Sequence, residues 1–146
     1  MYEGLKHAHS GFRWLVLVLL IIAIVNAYSK WQNRKDYTSS DKKKSLFAMI
    51  FTHIQLLIGL VLYFMSPLVS FESGFMKEAI TRFFTIEHTT IMVLAIIVIT
   101  MGYSKAKRKA DDSQKFKTTF IYYLIGLVLI LVSIPWPFRG LGAGWF

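Results

Sequence analysis

The chain has 146 residues, 55% of them hydrophobic, and a mean hydropathy of +0.49, which excludes an ordinary water-soluble domain of this length. It has no cysteine, so disulfides, thiolate-bound iron–sulfur clusters and covalent haem attachment through C-x-x-C-H are excluded as well. The formal charge of +9 is concentrated in two short segments between apolar blocks, the pattern of a membrane topology signal and not of a nucleic-acid-binding surface.

Crossing ~30 Å of hydrocarbon takes roughly 20 mostly apolar residues. Four stretches meet or approach that requirement, residues 10–28, 46–68, 82–103 and 118–134, and each is apolar all round its helical projection, as lipid-facing helices are. The first, with Lys6 ahead of it and Val25-Asn26-Ala27 within it, has the outline of a signal peptide but is read here as a retained helix. Lys30, Arg34, Lys35, Lys42, Lys43 and Lys44 follow it. The third is followed by Lys105, Lys107, Arg108, Lys109, Lys115 and Lys117, so these two connections hold 12 of the 17 basic residues. An even number of helices puts both on one face, which the positive-inside rule makes cytoplasmic. Asp36, Ser39-Ser40-Asp41 and Asp111-Asp112-Ser113 supply turn and helix-capping residues on that side. Pro135-Trp136-Pro137 ends the fourth helix. A Gly-rich tail, 139–146, is expected to be flexible or docked on a partner. The fold expected is all-α: one transmembrane domain over residues 1–146, an up-down-up-down four-helix bundle with both termini on the non-cytoplasmic side. Leu57-Ile58-Gly59-Leu60-Val61-Leu62 recurs as Leu124-Ile125-Gly126-Leu127-Val128-Leu129, and its glycines are expected to let helices approach closely.

Polar residues inside the spans are the functional candidates. They are His9 and Arg13 at the outer end of the first helix, His53 in the second, and Glu87 and His88 in the third, with Arg82 and Arg139 flanking the outer ends of the third and fourth. At 1.5 Å per residue, His88 lies about 25 Å, His9 about 31 Å and His53 about 13 Å above the cytoplasmic boundary. His9 and His88 therefore share a level, and His9 and Arg13, four apart, share a face. On the third helix Thr81, Phe84, His88, Met92, Ala95, Ile99 and Gly102 form one stripe. Two imidazoles with arginines near one membrane face suit haem b, which takes two neutral imidazoles on its iron and cations on its propionates. On this reading His9 and His88 are the iron ligands and His53 the alternate. Arg13, Arg82 and Arg139 serve the propionates, and Glu87 tunes an imidazole or relays a proton. His7 precedes the span and belongs to the outer interface.

"HAHSGFRWLVL", "THIQLLIGLVLYF", "EHTTIMVLAIIVITMGYSKAKRK" and "SIPWPFR" together resemble small four-helix membrane proteins of Bacteroidota labelled cytochrome b-like, over nearly the whole chain. More distantly the chain is similar to bacterial cytochrome b561-type proteins. The resemblance implies a non-covalent haem b held among His9, His53 and His88, electrons drawn from quinol, respiratory partner proteins and a bacterial inner membrane. The fourth helix has no histidine, a departure from the b561 pattern that leaves one bis-histidine haem.

Two other readings use the same residues. In a non-catalytic membrane subunit, His, Glu and Arg bridge helices and the tail docks on a larger complex. In a metal-dependent membrane enzyme, His9, Glu87 and His88 form an N/O ligand set, although no spacing such as H-E-x-x-H supports it. A transporter would show paired broken helices, and none is evident.

Overall fold

The computed structural model describes residues 1–145. Among them the chain is all-helical, with four helices long and apolar enough to cross a membrane: α1 (Tyr2–Gln32), α2 (Ser39–Met65), α3 (Ala79–Lys107) and α4 (Asp112–Ser133). Two short 3-10 turns, Phe75–Lys77 and Pro137–Arg139, lie in the α2–α3 connection and after α4. All four helices begin before the apolar blocks read from the sequence, while α2 and α4 end slightly short of them, at Met65 and Ser133. α1 has 31 residues, about 46 Å at 1.5 Å per residue, because the polar start Tyr2 to Ser10 keeps helical geometry and carries His9 into the bundle.

Local chemistry sets the ends. At α2, the Thr38 backbone N–H and hydroxyl donate to Asp41 at 2.9 and 2.8 Å, joining N-cap and third helical residue as in a capping box. At α4, Asp111 accepts from the Gln114 N–H at 2.9 Å. The C-terminal carbonyls of α4 are capped by Arg139, whose Nη1 donates to Val132 and Ile134, and by Trp136 Nε1, which donates to Leu131. α3 is not a uniform α-helix: Phe83–Glu87 forms a π-turn between α-helical Ala79–Arg82 and His88–Lys107. The stripe expected from Thr81 to Gly102 presumes unbroken α geometry. The π-turn interrupts it, yet Phe84 still lies against His88, with ring centroids 6.2 Å apart.

Around the bundle, α1 packs on α2 and α4, α4 on α3, and α3 on α2, with the last seam much the least extensive. Since lipid tails are as apolar as leucine, close packing holds such helices together, and small residues allow it. A Cβ at Gly102 would collide with Tyr122, and one at Gly126 with Ile99, so α3 and α4 interlock reciprocally. Val16, Leu17, Leu20, Ala23, Ile24 and Ala27 form the buried stripe of α1, while Val18, Ile21, Ile22 and Val25 face outward. The buried residues of α2 are Asp41, Ser45, Ala48 and Thr52. Beyond Thr52 the helix has none, and a cavity opens along that half.

Candidate functional site

This cavity, of about 310 Å³, is bordered by all four helices and by Gly142, Ala143 and Gly144 of the tail. That volume lies at the lower end of the range for small-molecule and cofactor sites. His9, Arg13, Gln55, Gly59, His88 and Met92 are on its wall. Three polar side-chain atoms on that wall are buried without a partner: His9 Nδ1, Arg13 Nε and Gln55 Oε1. The fourth such atom among the described residues, Thr119 Oγ1, lies elsewhere. A buried polar atom left unmatched costs ~1–3 kcal/mol, so three around one cavity single it out as the candidate site.

The backbone holds the two imidazoles. His88 is the first α-helical residue after the π-turn. Its Nδ1–H donates to the Ser133 carbonyl at 2.8 Å, and the Ser133 hydroxyl returns a bond to the His88 carbonyl at 3.3 Å. This carbonyl can only accept, so Nδ1 carries the proton in the neutral ring and Nε2 keeps its lone pair, the arrangement found behind metal-bound histidines. Phe83 and Phe84 flank the ring at centroid distances of 5.8 and 6.2 Å. His9 leans on α2 at Gly59, where a Cβ would lie 3.0 Å from its Cε1. The repeated Leu-Ile-Gly-Leu-Val-Leu segments thus use their glycines differently, Gly59 to seat an imidazole and Gly126 to admit Ile99. Gln55 Nε2 donates to the His9 carbonyl at 2.9 Å, which turns its unpartnered Oε1 to the other side of the amide.

Arg13, 8% exposed, has no carboxylate partner among the described residues. Its Nη2 donates to the Trp145 carbonyl at 2.7 Å, and its guanidinium lies over the rings of Trp14 and Trp136 at 5.3 and 5.8 Å. Trp14 Nε1 donates to the same carbonyl at 3.2 Å, and the Trp14 and Trp145 rings stack at 6.4 Å. The tail, expected to be flexible or docked on a partner, folds back up to Trp145 on its own bundle as a strap across the cavity, and Phe146 lies outside the described residues.

The remaining candidates lie elsewhere. His53 is not on the cavity wall: its Nδ1–H donates to the Met49 carbonyl at 2.8 Å, and its Nε2 meets the Thr100 hydroxyl at 3.3 Å, bridging α2 and α3. Glu87 accepts from Arg82 Nε at 2.8 Å in a half-exposed ion pair, and the acceptor that fixes the His88 tautomer is the Ser133 carbonyl. Arg82 also donates to the Met76 carbonyl. Arg139 is occupied by the α4 terminus and lies 5.0 Å over the Phe83 ring. His7 is exposed at the cavity rim. Among the described residues no group of three His, Cys, Asp or Glu side chains could hold a metal ion, so His9, Glu87 and His88 do not assemble as a ligand triad. A haem needs only two protein ligands, and its demands meet two imidazoles and one guanidinium on this wall, so the donor chemistry fits with a single arginine in place of three.

Gln55 is a readable candidate absent from those drawn from the sequence, where Gly59 has only a part in close helix approach. An amide inside an apolar span is as informative as a histidine, and Gln55 follows His53 by two residues. Compared with known proteins, the chain matches no family model, no curated protein and no solved structure.

Proposed function

We infer that the chain is a b-type haem-binding membrane protein that passes electrons between the quinone pool and a partner protein. The observation that carries this reading is the convergence of His9, His88 and Arg13, which has no carboxylate partner among the described residues, on one cavity with three unpartnered polar atoms. His9 from α1 and His88 from α3 would hold the iron, and Arg13 would neutralise a propionate. Bound there, haem b supplies a one-electron redox centre. The Ser133 carbonyl keeps the His88 proton on Nδ1 and the ring in one orientation, which raises the basicity of Nε2. His53 braces α2 against α3.

In this reading the bundle runs up-down-up-down in a bacterial inner membrane. The two basic connections are cytoplasmic, and both termini and the cavity mouth lie on the other side. Their 12 basic residues support that orientation. Reporter fusions at Lys42 and at the C-terminal end should register opposite sides, and the same side for both would break it.

The decisive test is the visible spectrum of the full-length protein from haem-replete cells. A Soret band and a reduced α-band of b-type are expected, lost in His88→Ala and His9→Ala and kept in His53→Ala. A colourless wild-type protein would remove the reading. It would favour the non-catalytic membrane subunit, for which the engaged states of His53, Glu87 and Arg139 already speak.

A further inference from the structure

At the opposite end of α1 from His9, the two basic connections are tied together. The Tyr37 N–H donates to Asp112 at 2.8 Å, the Tyr37 ring packs on Phe116 at 5.1 Å, and Lys115 Nζ lies 5.1 Å over that ring while pairing with Asp112 at 2.7 Å. Behind this junction is a second cavity, of about 240 Å³, bordered by Tyr37, Lys42, Tyr103, Lys107, Lys115 and Thr119. It is independent of whatever the histidine cavity holds.

Every polar group on this wall can donate a hydrogen bond, and none is a carboxylate. The two nearby acids are already engaged. Asp112 is held by Lys115 and the Tyr37 N–H, and Asp41 by Lys30, Asn26 and Thr38. Among the described residues the ammonium groups of Lys42 and Lys107 have no acceptor, and both side chains are exposed. Thr119 is 1% exposed, and its hydroxyl is the remaining buried polar atom without a partner. Burial pushes the Tyr37 phenol up to about 12, so it keeps its proton and stays a donor at any physiological pH. Cations and hydroxyls arriving from the loop, α2, α3 and α4 suit an anion with several acceptor oxygens at different angles. The site also sits where apolar spans give way to basic loops, the level of lipid phosphates, and basic pockets between membrane helices bind such headgroups.

We propose that this cavity is a phosphate site, taking the phosphodiester of an anionic phospholipid or a free phosphate ion. Lys42 and Lys107 supply the attraction, and Thr119 with the two tyrosines gives the oxygens their hydrogen bonds.

The test is native mass spectrometry of the full-length protein in neutral detergent, titrated separately with phosphatidylglycerol, phosphatidylcholine and inorganic phosphate. Phosphatidylglycerol should be retained over net-neutral phosphatidylcholine, and the Lys42→Gln/Lys107→Gln double variant should weaken it on the order of 25-fold, about fivefold per lysine. The Lys43→Gln/Lys109→Gln variant removes the same charge outside the cavity and should bind as wild type. Thr119→Val, checked for an unchanged melting temperature, should weaken binding a few-fold. Inorganic phosphate bound with the same dependence on Lys42 and Lys107, without discrimination between the lipids, assigns the site to the free ion. Equal losses in the two double variants would reduce the effect to diffuse charge and overturn the proposal. So would failure of both phosphatidylglycerol and phosphate to bind.

Discussion

The two ends of the bundle both bury polar groups, and apart from Thr119 at the second cavity they treat them in opposite ways. Near the basic loops, Asp41 is 1% exposed, yet its carboxylate accepts from Asn26, Lys30 and both donors of Thr38, while Lys44 holds the far side of the Asn26 amide. Tyr123, fully buried, donates to the Ser45 carbonyl at 2.7 Å in the same region. Around the histidine cavity, Arg13, Gln55 and His9 each leave a buried atom unmatched. A satisfied polar network fixes structure, whereas an unsatisfied one around a cavity is incomplete without something else. The membrane sharpens this contrast, because no bulk water reaches an orphan atom there.

The largest expected effect breaks the satisfied end. Asp41→Ala would strand Lys30 and the N-terminus of α2, at a cost of about 3–5 kcal/mol, the usual range when one partner of a buried ion pair is removed. Detergent-denaturation midpoints of the purified protein would show it. A loss below about 1 kcal/mol would mean that the network is solvated in practice. Next is packing. Gly126→Ala drives a methyl into Ile99 and should cost about 1–3 kcal/mol, whereas at Gly59→Ala the neighbour is the rim of an imidazole that can swing. That second variant should leave the denaturation midpoint nearly unchanged and reduce pigment, because His9 is displaced. Equal destabilisation by the two would show that the cavity wall is packed as tightly as the α3–α4 seam.

The smallest expected stability change is the sharpest discriminator. Gln55→Leu removes an unmatched acceptor together with one hydrogen bond to the His9 carbonyl, so stability should shift by less than about 1 kcal/mol. Haem content, measured by pyridine haemochrome, should nevertheless fall. A stability loss approaching that of Asp41→Ala would place Gln55 in the structural class and dissolve the contrast between the two ends.

The parts of the molecule that follow from composition along the helix axis were legible in the sequence. Four apolar blocks gave four spanning helices, Pro135 marked the end of α4, and Asp41 and Asp111 fell at helix starts. Depth counting along ideal helices put His9 and His88 at one level and His53 at another, and the cavity wall contains the first two without the third. What depends on rotation about the axis was not legible. The π-turn at Phe83–Glu87 has neither glycine nor proline to announce it. Nor could adjacency in sequence reveal that Glu87 answers to Arg82 while His88 answers to a backbone carbonyl 45 residues away. Arg82, Arg13 and Arg139 look alike on paper as outer-end cations. Only tertiary placement separates them: Arg82 pairs with Glu87, Arg139 caps α4, and Arg13 meets a carbonyl inside the bundle.

That carbonyl belongs to Trp145, 132 residues beyond Arg13. At a synthesis rate of ~5–20 residues per second, Arg13 waits roughly 7–26 s before its acceptor exists. Until then α1 must enter the bilayer with an unmatched guanidinium, whose long side chain can reach the headgroups. The helices can therefore assemble before the cavity is closed, and the arrival of residues 140–145 is a separate, late step in biogenesis. A bulky polypeptide fused behind Trp145 would act on that step first, leaving four inserted helices around a cavity that stays open.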